Sequence, residues 1–355
     1  MVLMLDAIIL YLFFLLWRNI AHRILSSDSI KFVLFGFNSQ IKELLDGLYR
    51  NKSNVFQCVM IALEPADKQK LDITQSYMKH IDIVDFSNIN REIFERHNVD
   101  YVITAREHMQ KTWADFFFRE VFPMGIKIEQ FQYFFEKVMQ KVPVQSIDTV
   151  WFLENLESTR QRFYDVLKRV TDILMVFILI IPSAVISFFV ILALIIENRT
   201  KIFYIQNRVK KNGVIFKMYK FASMVPDAEK HGPQWSTKGD SRVTKVGKVI
   251  RDLHFDEIPQ LINILKGDMS FIGPRPERPE FVDKLGQEIP FYYQRFLVKP
   301  GLSGWAQLNY PYGETVEDAL HKLQYDLYYI KHRSVFLDLE IFLRSFRLLF
   351  FQPNK

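Results

Sequence analysis

ILMVFILIIPSAVISFFVILALII, residues 173–196, carries no charge along its length; Asp172 precedes it and Glu197 follows it. About 17–25 apolar residues span a bilayer as a helix, so the block is long enough to enter a membrane. Pro182 and Ser183 sit near its middle. Proline removes a backbone hydrogen bond and kinks a helix, and a serine hydroxyl can satisfy the freed carbonyl. Two shapes follow: a kinked transmembrane helix, or a re-entrant helix hairpin that enters and leaves on one side. Lys168 and Arg169 lie before the block, and Arg199, Lys201 and Arg208 lie after it. Both flanks are basic, and basic flanks stay cytoplasmic, so the spacing favours the hairpin over residues 173–196.

Downstream, residues 200–355 are rich in loops punctuated by Gly and Pro, where binding and catalytic groups concentrate. The run FDEIPQLINILKGDMSFIGPRPERPEF occupies residues 255–281. Asp256 and Glu257 are adjacent carboxylates, and Pro259 marks the first turn of a helix. The spacing predicts a short helix ending near Lys266–Gly267, with the carboxylates at its mouth. Free N–H groups and the helix dipole favour negative charge there. Alone, Asp256 reads as a helix cap. It has cationic company, however. Arg275 and Arg278 lie on a proline-framed loop, Arg208, Lys217 and Lys220 lie upstream, and Lys299 heads a Gly-punctuated loop containing Trp305. Arginine forks bind phosphate oxygens in pairs. Basic side chains around a carboxylate pair point to phosphoryl transfer, which needs charge stabilisation and positioning. Aspartate can serve as a covalent nucleophile on phosphorus. Asp256 and Glu257 are also candidate ligands for a hard divalent ion, Mg²⁺ by preference, bridging to diphosphate oxygens.

Upstream, residues 30–145 read as a soluble α/β domain. IKFVLFG, VFQCVMIAL, IDIVDF and DYVITA are short β-rich runs separated by helical stretches, the pattern of a parallel sheet with crossover helices. A dinucleotide turn would read G-x-G-x-x-G after the first strand. Here it reads GFNSQI, with Asn38 where the second glycine belongs. The domain is therefore expected to be Rossmann-like with a degraded nucleotide turn, in a structural or regulatory role. Residues 146–170 read as a polar connector. At the N-terminus, MVLMLDAIILYLFFLLWRNI lacks the basic start and small-residue cleavage site of a signal peptide. Residues 1–25 are expected to form one transmembrane helix, and Arg18, His22 and Arg23 behind it place the remaining chain in the cytoplasm.

The net charge of +6 is uneven: residues 197–255 hold thirteen Lys/Arg against five Asp/Glu. Such a block seeks an anionic partner. Membrane flanks favour lipid or a phosphorylated substrate, and no zinc-finger spacing or RNA-binding aromatic signature points to nucleic acid. Cys58 is the sole cysteine, so no disulfide forms within the chain, which suits a reducing compartment.

In order and spacing these motifs resemble the bacterial sugar transferases, the monotopic polyprenyl-phosphate phosphoglycosyltransferases, over roughly residues 160–352. The marks are the basic pair and Asp172 before a Pro-broken apolar segment, then Q-x-R-x-x-x-x-G-x-x-F-x-x-Y-K-F (206–221) and D-x-R-V-T-x-x-G (240–247). D-E-x-P-Q-L, K-G-D-M-S-x-x-G-P-R-P-E-R-P and P-G-L-S-G-W-A-Q-x-N-Y follow. The ending, EDALHKLQYDLYYIKHRSVFLDL, looks most like the exopolysaccharide-associated branch. In that branch an α/β domain and extra spans commonly precede the catalytic part; with one span visible here, the chain is either a short variant or an incomplete form. The resemblance implies a membrane-associated α+β catalytic domain over 171–355, at the cytoplasmic face of the bacterial inner membrane. It implies a UDP-sugar donor and a polyprenyl (undecaprenyl) phosphate acceptor. Asp256 would attack the phosphorus bearing the sugar, UMP would leave, and the lipid phosphate would discharge the phosphosugar–aspartate. Glu257 would assist the lipid phosphate or hold the metal, and Arg275 would contact nucleotide or phosphate oxygens.

Three positions depart from the family pattern. Ala222 stands where an arginine is expected, Thr200–Lys201 where Gly-Pro is expected, and Lys210 where a glycine is usual. These changes keep open a weak or inactive homologue that scaffolds a polysaccharide assembly complex. The C-terminal segment FLDLEIFLRSFRLLFF (336–351) reads as an interfacial helix. Glu340, Arg344 and Arg347 share one side, Phe342, Phe346 and Leu349 lie toward the other, and Asp338 falls awkwardly among the apolar residues. Its apolar surface also leaves a homo-oligomer open.

Overall fold

The computed structural model describes residues 29–50, 55–68, 70, 76–105, 111–156, 161–197, 201–226, 228–230, 232, 234, 240–310, 313 and 315–351. The expected transmembrane helix over 1–25 lies outside them. The chain divides into two compact units, Met1–Met139 and Gln140–Lys355.

The first unit is a five-stranded parallel sheet of β1 (Ile30–Phe35), β2 (Phe56–Leu63), β3 (Asp82–Asp85), β4 (Tyr101–Thr104) and β5 (Lys127–Gln130), in the order β3-β2-β1-β4-β5. The apolar run Phe32–Phe35 of β1 explains its central place, because a strand covered on both faces needs apolar residues on both. Phe32 and Leu34 point to one side, packing with Ile41 and Leu44 of helix α1 (Ile41–Arg50) and with Phe131, Phe134 and Phe135 near the end of the unit. Val33 and Phe35 point to the other, among Phe86, Phe94 and Phe117. The fifth strand, KIEQ, is too short and polar to stand out in the sequence.

The second unit has no large sheet. It gathers helices and two small ribbons around a main core containing Trp305, Tyr292, Tyr329, Ile264 and Leu327 and a smaller cluster at Val190, Leu194, Phe221 and Ile250. Burying an aromatic of this size is worth about 3–5 kcal/mol against alanine. Residues 146–170 are more than the polar connector expected: Ile147, Trp151 and Phe152 enter this core. The apolar spacing of VWFLENL was outweighed in the sequence by its charged surroundings.

The apolar block lies in one helix, α2 (Arg162–Ile196), which runs through Pro182 without interruption. It is the one helix among the described residues long and apolar enough to cross a membrane. Its middle is bare: Phe177, Ile178, Ile181, Phe188 and Phe189 are each more than half exposed. Both ends are fastened to the second unit. Near the N-terminal end, Arg169 donates to the carbonyls of Ile264 and Leu265, and Asp172 accepts from Ser270 Oγ and the Phe271 N–H. At the C-terminal end, Val190 and Leu194 pack with Phe221 and Ile250, and Glu197 accepts from the Val246 N–H.

The C-terminal helix α3 (Val335–Phe351) has different faces from those expected. Asp338 turns inward, accepting from Tyr164, Lys168 and Tyr329, and Ile341 is fully buried. The exposed apolar stripe is Phe336, Leu339, Leu343 and Phe346, while Arg344 reaches Asn309 and covers the Trp305 ring. The helix both docks on the core and presents an apolar stripe. Asp338, the residue that spoiled the sequence pattern, is the one that sets its rotation.

Candidate active site

Asp256 and Glu257 sit in a single 3-10 turn, Phe255–Glu257, entered through His254 at φ 55°. A left-handed histidine is a strained entry, and it aims two consecutive carboxylates inward. Pro259 and helix α4 (Gln260–Lys266) follow, closed by left-handed Gly267, as the sequence predicts.

A two-stranded antiparallel ribbon, β6 (Phe203–Val209) and β7 (Ile215–Phe221), brings Lys220 to the pair. Its ammonium is 2.8 Å from Glu257 Oε1 and 3.8 Å from Asp256 Oδ2. Asn263, fully buried on α4, locks this approach: its Oδ1 accepts from the Tyr219 N–H and its Nδ2 donates to the Lys217 carbonyl. Strand and dyad thus share one brace.

Arg275 reaches the same Oε1 of Glu257 at 2.7 Å. It follows strand β8 (Ser270–Ile272), which pairs in parallel with β9 (Gly301–Ser303). The glycines of the two motifs allow this contact: a Cβ on Gly301 would lie 2.1 Å from the Gly273 nitrogen. Arg295, buried, holds the Arg275 backbone by donating to its carbonyl, and is itself paired with Asp326 at 2.9 Å. Burial pushes Asp326 up to about 6 against the pull of Arg295.

The two carboxylates are driven apart. Burial would raise Glu257, but the charges and hydrogen bonds of Arg275 and Lys220 outweigh it and hold the group well below the usual carboxylate range. Burial raises Asp256, Lys220 opposes that, and the neighbouring Glu257 charge adds to it. Pairs of groups separated in this way mark distinct chemical roles. Glu257 is a fixed anion locked to two cations; Asp256, buried as well, is the less encumbered carboxylate.

Of the basic residues singled out in the sequence, Lys220 and Arg275 meet the dyad. Arg208 and Arg278 do not bond to it. Arg208 holds Glu277 and Gln206; burial lowers its guanidinium despite Glu277, and Arg275 and Arg278 lie close enough to add to the effect. Arg278 pairs with Glu229. Lys299 lies beside Gly267 and Arg169, at the other end of α4. Pro182 and Ser183 sit within α2, away from these contacts. Sequence reading missed Asn263 and Arg295, which act through neighbours and carry no motif of their own. D-x-R-V-T-x-x-G is structural: Asp240 pairs with Arg242, Thr244 caps helix α5 (Lys245–Asp252) by accepting from the Gly247 N–H, and a Cβ on Gly247 would strike the Ser223 carbonyl. Lys210, in place of a usual glycine, pairs with Asp268 at 2.6 Å.

The dyad's oxygen chemistry suits a hard divalent cation. No group of three or more His, Cys, Asp or Glu side chains converges among the described residues.

Residues 163–352 match the family model described as bacterial sugar transferase. A UDP-N-acetylgalactosamine-undecaprenyl-phosphate N-acetylgalactosaminephosphotransferase of Aeromonas hydrophila is 45% identical over 186 residues, covering 52% of this chain and 44% of the relative. An undecaprenyl-phosphate glucose phosphotransferase of Komagataeibacter xylinus is 32% identical over 236 residues, covering 65% and 41%. A UDP-glucose:undecaprenyl-phosphate glucose-1-phosphate transferase of Escherichia coli is 37% identical over 185 residues, covering 51% and 40%. The matches span less than half the length of each of these relatives.

Proposed function

The chain belongs to the bacterial sugar transferase family, and from that premise we propose that it moves a sugar-1-phosphate from a UDP-sugar to polyprenyl phosphate at the cytoplasmic face of the inner membrane. The observation that carries this reading is the buried Asp256–Glu257 pair, split in acidity by Lys220 and Arg275. Ionised Asp256 attacks the phosphorus bearing the sugar. The new O–P bond forms as the bond to the UMP oxygen breaks, and UMP leaves with the electron pair. An oxygen of the polyprenyl phosphate then attacks the same phosphorus and returns Asp256 as a carboxylate. Lys220 and Arg275 offset the charge of Glu257 and of the incoming phosphates, in a site where burial strengthens each interaction. Bound Mg²⁺, held by Asp256 and Glu257 with the diphosphate, would supply further charge neutralisation at the phosphate oxygens.

The membrane segment fits a re-entrant helix. A helix that crossed the membrane would leave its ends on opposite sides, whereas both ends of α2 hold the same unit. α2 is continuous through Pro182; a proline frees the carbonyl four residues earlier, so a hairpin bend would fall there. Cysteines at positions 168 and 201 should label together from the cytoplasmic side; labelling from opposite faces would make α2 a true span. For the first unit, the strand order supports a Rossmann-like origin.

The direct assay is UMP release across a panel of UDP-sugars, with and without polyprenyl phosphate. Turnover that needs the lipid phosphate supports the transferase. No release from any UDP-sugar would favour the scaffold alternative, which draws on Ala222 standing where the resemblance leads one to expect arginine.

A further inference from the structure

A second cationic site lies away from the dyad. A cavity of about 150 Å³ opens at the N-terminal foot of α2, where Lys168, Arg169, Lys211, Lys299 and Arg333 converge. Two carboxylates also line it, each bonded to another partner but close enough to Lys299 to offset part of the positive charge. Asp165 is held by Arg333, and Asp172 accepts from Ser270 and the Phe271 N–H. Lys168 is taken by Asp338, and Arg169 by the last carbonyls of α4. Lys211 and Lys299 are the other two cations that line it. Burial pushes Lys299 down, the neighbouring Arg169 and Lys211 add to this, and Asp172 and Asp165 oppose it in part.

Three observations identify the occupant. At about 150 Å³ the cavity is smaller than the roughly 300–1,000 Å³ sites of drug-sized ligands, a size that suits a phosphate group better than a whole nucleotide sugar. Its walls meet the start of the apolar segment at Ile173 and the start of α3 at Val335. The apolar segment thus begins one residue past Asp172, a wall of the cavity, which sets the cavity at the level of lipid headgroups. Finally, α4 separates it from the dyad. Arg169 binds the C-terminal end of that seven-residue helix, and Asp256 precedes its N-terminal end, about 10 Å away at 1.5 Å per residue. A phosphate here is out of reach of Asp256.

We propose that this cavity binds the phosphate of an anionic membrane lipid, and that the bound headgroup fixes the foot of α2 at the membrane surface. The proposal rests on the reading that α2 enters the membrane; it does not require catalysis at Asp256.

The test is a native mass spectrometry titration of the full chain in neutral detergent with phosphatidylglycerol. Phosphatidylcholine, polyprenyl phosphate and inorganic phosphate are the comparison probes. One phosphatidylglycerol should bind in preference to phosphatidylcholine, and the Lys211→Gln, Lys299→Gln pair should weaken it about thirtyfold, at roughly fivefold per lysine near a membrane. Lys211→Arg with Lys299→Arg should restore binding. Asp256→Asn should bind as the unaltered chain does, which separates this site from the proposed reaction. Should the glutamine pair fail to fold, Lys211→Gln alone, on an open turn, should still lose about fivefold. Competition between phosphatidylglycerol and polyprenyl phosphate assigns the lipid, and preference for the first supports the proposal. Preference for polyprenyl phosphate, unchanged affinity in the glutamine variants, equal binding of phosphatidylcholine, or displacement by millimolar inorganic phosphate would each overturn it.

Discussion

Two places in this chain carry the outline of a phosphate site at the start of a helix. In the first unit, β1 ends at Gly36 and α1 begins at Ile41, the layout in which a dinucleotide-binding sheet receives a pyrophosphate. There, Asn38 has closed the position. Its side chain accepts from the Gln40 N–H and its carbonyl from the Ile41 N–H, so the helix start is capped by the chain itself. In the second unit, the turn before α4 holds Asp256 and Glu257, with Lys220 and Arg275 drawn in from two other elements. The first arrangement is locally satisfied. The second is a buried charge cluster balanced by residues far apart in sequence, and such balance is costly to maintain without a use. Backbone geometry alone does not make a phosphate site; assembled charge does.

Substitutions can break that contrast or sharpen it. Asp256→Asn keeps the shape and removes the attacking charge. UMP release should fall at least about a thousandfold, and near-normal release would end the assignment. Glu257→Gln should also slow turnover severely while leaving Asp256 able to form some adduct.

Lys220→Met should slow turnover by about a hundredfold or more, and it has a pH signature. Asp256 must be ionised to attack, and burial raises it above an ordinary aspartate near about 3.9. Activity should therefore be lost, as pH falls, at a higher pH than a free aspartate would give. Lys220 lowers Asp256, so removing it moves the acid limb further upward. A limb that stays in place would show that another group controls it.

The smaller effects compare two asparagines. Asn263→Ala leaves a buried N–H and a buried carbonyl of β7 unpaired, at about 1–3 kcal/mol each. It should lower the melting temperature, and turnover should fall with it because Lys220 rides on that strand. Asn38→Ala removes a local cap and costs about 1 kcal/mol, with UMP release unchanged. If Asn38→Ala altered UMP release, the first unit would have a part in the reaction.

What could be read in advance follows the reach of each interaction. The parallel sheet was legible in the apolar run of β1, and the turn before α4 in Pro259 and Gly267, because these signals are local. The dyad was legible because its carboxylates are adjacent. Which cations meet it was only half legible: Lys220 and Arg275 do, while Arg208 and Arg278 hold Glu277 and Glu229. In sequence all four are equally basic, and only the fold distributes the glutamates that claim two of them. Arg295, Asn263 and the inward turn of Asp338 were invisible for the same reason, since each acts on a residue remote in the chain.

The central claim, that Asp256 carries the phosphosugar, is tested most directly by intact-protein mass spectrometry of the chain incubated with a UDP-sugar in the absence of polyprenyl phosphate. The account predicts a mass increase of one sugar phosphate, matched by released UMP, mapped to Asp256, absent in Asp256→Asn and discharged on adding the lipid phosphate. UMP release that requires the lipid from the outset, with no adduct under quenched single-turnover conditions, would contradict it.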